Sequence, residues 1–253
     1  ERMRESGEIQ RWMFESIDDM GCEGVTELDL AAAADEVSRA AGFGGFVRMR
    51  KWPMDCDRVV VASGRAGCVP TFFDSAVGGT GTNPLAALGA GFNRVKIGEP
   101  VLVDIVHVHR GYITDMTRMF SVGPLAEEWM QRLEDMEEIA ENIRGSLARG
   151  DDCSSAWELG SKMASEMGHA EHLMGMQPDQ ARFLGHSIGL ELDETPVVAA
   201  GFDRPLPVGG TMAIEPKVIH PDGAIGVEDC WVRTSDGLSC LSSGDDFPMY
   251  TQW

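Results

Sequence analysis

VLVDIVHVHRGYITDMTRMF, residues 101–120, reads as two β-branched runs folding back on each other at Arg110-Gly111, a hairpin signal. Each arm carries one carboxylate, Asp104 and Asp115, in a segment otherwise apolar enough for the interior. A buried carboxylate needs a partner or a metal. By strand alternation His107 and His109 lie on the face opposite Asp104, which marks both as structural. A second pair of carboxylates has the same setting further along. Glu215 lies in TMAIEPKVI and Glu228 in IGVEDCWV, with Pro221-Asp222-Gly223 as a turn between them. The later part of the chain mirrors the earlier one, with a carboxylate on each arm of a hairpin.

Working outward, Ile9, Trp12, Met13, Ile17 and Met20 recur at helical spacing and Gly21 marks a stop, so a helix is expected over 1–20. Thr26 can cap a second helix with Asp29 three positions on, and the alanine run 31–34 favours it. Strands are expected near 46–51 and 58–62. Residues 71–100 are glycine-rich and read as a covering or subunit-contact loop. Their GGTGTN run lacks the Gly-Lys-Ser/Thr that a phosphate-binding loop requires. Helical patterns at 125–147 and 152–167 precede strands around 188–192, 211–219, 226–233 and 238–241. Two helices then strands, twice over, predict two structurally similar halves. The tail 242–253 is either loose or docked through Tyr250 and Trp253.

With 43% hydrophobic residues, the 253-residue chain can build a substantial core as one large domain or two small ones. Forty-one acidic against 21 basic residues give a formal charge of −20, which argues against nucleic acid or an anionic membrane as partner. The six cysteines are scattered without a C-x-x-C pair, so free thiols in a reducing cytoplasm are expected. No apolar run approaches the roughly eighteen residues of a membrane span. The chain begins at Glu1 rather than Met, and a preceding segment is expected.

Five residues are candidates for chemistry: Asp104, Asp115, His186, Glu215 and Glu228. Four carboxylates brought together raise one another's pKa values, whereas two divalent cations would neutralise them. Oxygen ligands with one imidazole suit manganese, iron, cobalt or zinc, and two such ions roughly 3.5–4 Å apart can polarise a carbonyl. The plainer alternative makes these residues edge-strand carboxylates facing water or paired to Arg118 and Arg233. His169 and His172 sit three apart at a helix end, where favourable charge at the C-terminus is the commoner reason. His220 reads as a turn residue beside Pro221.

VLVDIVHVHRGYITDMTRMFSVG, FLGHSIGLELDETP, TMAIEPKVI and GVEDCWVRTSDGLSCLS together resemble the signature segments of the pita-bread metallopeptidases, most closely the Xaa-Pro aminopeptidases and prolidases. The resemblance covers nearly the whole chain and includes the eleven-residue step from Asp104 to Asp115. It implies an α+β pita-bread fold, with two pseudo-symmetric helix-helix-strand halves around a curved antiparallel sheet and residues 1–253 as the catalytic domain. It implies two divalent metal ions: Asp104 chelating one, Asp115 and Glu228 bridging, and His186 and Glu215 on the first. Glu215 would also serve as general base as a bridging hydroxide attacks an amide carbonyl. A homodimer and a separate N-terminal domain are further implications.

Three departures bear on the substrate. Where such peptidases place two substrate-facing histidines this chain has Thr71 and Asp193, and the arginine often preceding the last metal glutamate gives way to Gly226-Val227-Glu228. Asp193 is therefore a candidate general base or receptor for a cationic group, or else a capping residue of its turn, and Thr71 a candidate hydroxyl donor. The leading expectation is an Xaa-Pro-type peptidase. The alternatives are a metal-dependent enzyme acting on a small amide or amidine, or as a lyase, and a non-catalytic binding protein.

Overall fold

Residues 1–50, 57–70, 75–85, 87–243 and 247–253 are described by the computed structural model. Helix α1 (Arg2–Met20) buries Ile9, Met13, Phe14 and Ile17 along one stripe, as the helical repeat dictates. Helix α2 (Glu27–Ala40) begins at a capping box. Thr26 Oγ1 accepts from the Asp29 N–H (3.1 Å), and the Asp29 carboxylate accepts in return from the Thr26 N–H (3.3 Å). Strand β1 (Val59–Ser63) then pairs with β2 (Val101–His109), which pairs with β3 (Tyr112–Ser121), all antiparallel. Arg110 and Gly111, with φ of 51° and 86°, form the two-residue turn whose left-handed backbone matches the twist of the strands it joins. Both helices pack on this sheet, where Val59, Val61, Val101, Val103 and Ile105 complete a shared core.

The second half repeats the order. Helix α3 (Glu127–Arg149) stops at Gly150, whose φ of 89° supplies the left-handed cap, and α4 (Cys153–Glu166) follows. Strands β4 (Gly185–Ser187), β5 (Glu194–Val197), β6 (Thr211–Ile214), β7 (Lys217–His220), β8 (Gly223–Gly226), β9 (Asp229–Thr234) and β10 (Gly237–Cys240) complete it. They form a five-stranded sheet in the order β10-β9-β6-β4-β5 and a separate β7-β8 hairpin turned at Pro221-Asp222. A bridge between Thr117 and Glu228 joins this half to β3.

Several expected strands shift. None forms over the described residues 46–50, and residue 51 lies outside those described. That segment instead lies along the second half, with Arg48 O accepting from the Leu192 N–H at 2.9 Å. The strand expected at 188–192 is displaced to β4 and β5, with bends between them. Pro216, which has no N–H to give a ladder, divides the expected 211–219 strand into β6 and β7. The expected 226–233 strand is likewise divided, Gly226 closing β8 and β9 starting at Asp229.

The tail is docked. Strand β11 (Tyr250–Gln252) runs parallel to β3, and the Trp253 and Phe120 rings stack with centroids 5.1 Å apart. The glycine-rich loop is tied down by Glu27, a fully buried residue of α2. Its carboxylate accepts from the Ser63 N–H (2.7 Å) and the Gly91 N–H (3.0 Å), linking β1 to the loop. The loop's Gly91 N–H thus serves an internal carboxylate. Among the described residues, no helix is long and apolar enough to cross a membrane.

Candidate metal centre

Register puts Asp104 opposite Thr117 and Val106 opposite Asp115, so alternation brings Asp104, Asp115 and Thr117 to one face of the first hairpin. The Thr117–Glu228 bridge then delivers the second half's carboxylate to that face. Thr117 Oγ1 donates to Glu228 Oε2 at 2.8 Å. Arg118, with its side chain 1% exposed, secures the junction. Its Nη1 donates to the carbonyls of Thr117 (2.7 Å) and Glu228 (2.9 Å), and its Nη2 reaches both Asp229 oxygens at 3.1 and 3.0 Å. The guanidinium thereby ties the Glu228 carbonyl and the Asp229 carboxylate to the Thr117 carbonyl of β3.

His186 lies on β4 between β5 and β6, and Glu215 immediately follows β6. The His186 Nε2 stands 3.2 Å from Glu215 Oε1. Lys217, which sequence reasoning passed over, sits in the middle of the cluster. Its Nζ is 2.6 Å from Glu215 Oε2, 2.8 Å from Glu228 Oε2 and 3.5 Å from Asp104 Oδ2. Arg118 and Arg233, named as alternative partners for the candidate carboxylates, are engaged elsewhere: Arg118 with Asp229, and Arg233 with the Leu206 carbonyl.

These distances set the charges. Burial pushes the Asp115 carboxyl well above the usual range, and repulsion from Glu228, Asp104 and Glu215 adds to it. Burial and the Glu215 charge push Glu228 up to about 8. Burial would raise Glu215 as well, but the Lys217 ammonium and His186 outweigh it and hold that carboxyl at about 2. Glu215 and Glu228 share Lys217 yet move in opposite directions, because Glu215 also has the hydrogen bond with the His186 ring while its charge raises Glu228. Burial opposes a charged His186 ring, yet its hydrogen bond with Glu215 and the charges of Glu215 and Glu228 lift it to about 9.

The donor set fits a divalent cation. Asp115, His186 and Glu228 each offer an atom within 4.8 Å of the others'. Asp115 Oδ1 and Glu228 Oε1 are buried acceptors with no hydrogen-bond partner among the described residues. Oxygen and imidazole ligands of this kind suit first-row divalent ions. The structure therefore brings all five sequence-derived candidates together, three of them as an open ligand group and Asp104 and Glu215 around the lysine.

Asp104, Asp115, His186 and Glu215 line a cleft of about 360 Å³ that Asp193, Arg50 and Arg182 also line. Asp193 Oδ1 accepts from the Arg50 N–H at 2.9 Å. Thr71 lies outside the described residues. The remaining histidines have other partners. His107 is buried against Ser38 Oγ (2.9 Å), His109 meets Glu5 (3.1 Å) and His169 meets Asp135 (2.7 Å). The rings of His172 and His220 stack at 3.9 Å, so His169 and His172 do not converge on one point.

Residues 1–235 match metallopeptidase family M24, and the chain belongs to that family of metal-dependent hydrolases. It is 31% identical over 176 residues to an Xaa-Pro dipeptidase of Lactobacillus delbrueckii subsp. lactis, covering 68% of this chain and 45% of that protein. The X-Pro aminopeptidase of Thermotoga maritima MSB8 matches all of this chain with a TM-score of 0.81 and 21% identity, over 62% of its own length. The methionine aminopeptidase of Rickettsia prowazekii aligns over 95% of both chains with a TM-score of 0.71 and 14% identity. These structures establish the pita-bread fold. The chain spans about half the length of the curated relatives it matches.

Proposed function

We propose that residues 1–253 form the catalytic domain of a metal-dependent hydrolase that cuts the amide bond of a small peptide of the Xaa-Pro type. The observation that carries this reading is the group Asp115, His186 and Glu228, with two unpaired carboxylate oxygens, beside a cleft of about 360 Å³. A divalent cation bound there would polarise the substrate carbonyl and make a water more acidic. Manganese, cobalt, iron and zinc all accept such ligands. Glu215 lines the same cleft, and its carboxylate is the base assigned here to take a proton from water. Arg182 at the cleft offers a guanidinium to the terminal carboxylate of a short peptide. The 31% identity to an Xaa-Pro dipeptidase supports the substrate class.

Manganese- or cobalt-loaded protein incubated with a panel of Xaa-Pro dipeptides is expected to release the N-terminal residue, with loss of activity in chelator and recovery on adding metal. An intact panel would refute the peptidase reading.

Asp193 favours a second reading, an amide or amidine of a small molecule. It lines the cleft at the position where the resemblance calls for a histidine. Under this reading Asp193→Asn abolishes turnover of such a substrate while metal content stays the same. Unchanged turnover removes Asp193 from the chemistry.

A further inference from the structure

Lys217 opens β7 two residues after Glu215, and its side chain is 1% exposed. An ammonium has three N–H donors, and three carboxylates converge on this one, at 2.6, 2.8 and 3.5 Å. The fold makes room for its stem. Gly226 is the cross-strand partner of Lys217, and a Cβ at Gly226 would lie 2.3 Å from Lys217 Cγ and 2.9 Å from its Cβ. Glu228 is divided between two environments: Oε2 accepts from Lys217, while Oε1 finds no donor among the described residues. Asp104 and Glu215 belong to the lysine's side of the cluster and are absent from the open three-ligand group.

We infer that Lys217 is a tethered cation occupying the second cation position of this centre, so that the chain binds one divalent metal, at Asp115, His186 and Glu228, instead of two. The inference rests on the metal reading above. A dication held by Asp104, Glu215 and Glu228 at the usual distance of about 2.0–2.2 Å needs the space onto which those oxygens direct Nζ. It could enter only by expelling the ammonium from its three carboxylate partners, and a displaced buried charge without its partners is costly.

The test is metal stoichiometry, which does not depend on finding a substrate. Wild-type protein, Lys217→Met and Lys217→Gly are stripped with chelator, reloaded with manganese(II), desalted and assayed for bound metal, with circular dichroism confirming that each variant is folded. Wild type is expected to hold one manganese per chain with the electron paramagnetic resonance spectrum of an isolated ion. Both variants are expected to hold two, with the spectrum of a spin-coupled pair. Two manganese in the wild type, or no gain in either folded variant, overturns the inference while leaving the metal reading intact. No manganese in any of the three overturns the metal reading itself. Anomalous scattering from wild-type crystals soaked in manganese is independent of the variants' folding. A single peak beside Asp115, His186 and Glu228 supports the assignment, and a peak coordinated by Asp104 and Glu215 refutes it.

Discussion

Asp229→Ala should be among the most destabilising single changes in this protein. Asp229 and Arg118 have side chains 3% and 1% exposed, and the guanidinium meets both carboxylate oxygens at 3.1 and 3.0 Å. Ser242 Oγ also donates to Asp229 Oδ1 at 2.6 Å. Removing the carboxylate leaves Arg118 charged in the interior with, among the described residues, the Thr117 and Glu228 carbonyls as its remaining acceptors. Breaking a buried pair from one side costs about 3–5 kcal/mol. For a chain of this size each kcal/mol moves the melting temperature by roughly 2–4 °C, so calorimetry should show a fall of about 6–20 °C. The exposed Lys162–Glu166 pair is the control, with side chains 74% and 65% exposed and 3.7 Å between charges. Lys162→Ala should shift the melting temperature by less than about 2 °C. Arg118→Met with Asp229→Leu removes both charges and should cost less than Asp229→Ala alone. A fall below about 2 °C for Asp229→Ala, or a double variant as unstable as the single, would refute the reasoning.

Three further outcomes follow from the centre's surroundings. Glu228, raised from 4.5 to about 8, and His186, raised from 6.5 to about 9, contribute stability that is present below their unfolded values and lost as pH rises through the folded ones. Glu215, lowered from 4.5 to about 2, contributes above its unfolded value and loses that contribution as pH falls toward 2. Chelated protein should therefore melt progressively lower as pH rises from about 6.5 to about 9, and manganese should stabilise it more at the alkaline end; a flat profile counts against these assignments. Arg182→Ala should raise KM for dipeptides about tenfold or more but leave KM for their C-terminal amides within about twofold, and equal effects on both would exclude a carboxylate contact. Burial pushes the Cys153 thiol up to about 11 and also raises the Cys230 thiol well above its ordinary value, so mass spectrometry after iodoacetamide should find both unmodified in the native protein while exposed Cys22 is labelled. Labelling of Cys230 at the rate of Cys22 would contradict its buried placement.

The elements that local chemistry determines were readable in the sequence. The 101–120 hairpin shows because its apolar alternation and its Arg110-Gly111 turn agree, and α2 shows because Thr26 and Asp29 form a self-contained cap. The second half was harder. The apolar run 188–192 looks like a strand, yet the paired residues are Gly185–Ser187, fixed by β6 on one side and β5 on the other. The extended reading of 46–51 finds no ladder over its described residues, because that segment docks through the Leu192 N–H to Arg48 carbonyl bond and through Arg50, which bonds Asp193 twice and pairs with Glu191. Glu27 likewise reads as a first-turn helix acid, and its role in gripping the glycine-rich loop depends on Ser63 and Gly91, far away in the chain.

Lys217 is the instructive omission. A lone lysine is almost always a surface residue, and nothing in the composition contradicts that default. Its burial is a long-range property, arising because Asp104 comes from β2 and Glu228 from beyond β8. Two local signals pointed the other way. Residues two apart in an extended segment share a face, so a lysine two positions after a candidate ligand aims at the same site as that ligand. The residue across the hairpin from it is Gly226, where a side chain would collide with the lysine's stem. Counting only carboxylates, the sequence reads as four negative charges awaiting two dications. Counting the cation that comes to the same face, part of that neutralisation is covalently attached, and under the inference drawn above the number of metals depends on residue 217 as much as on the five candidate residues.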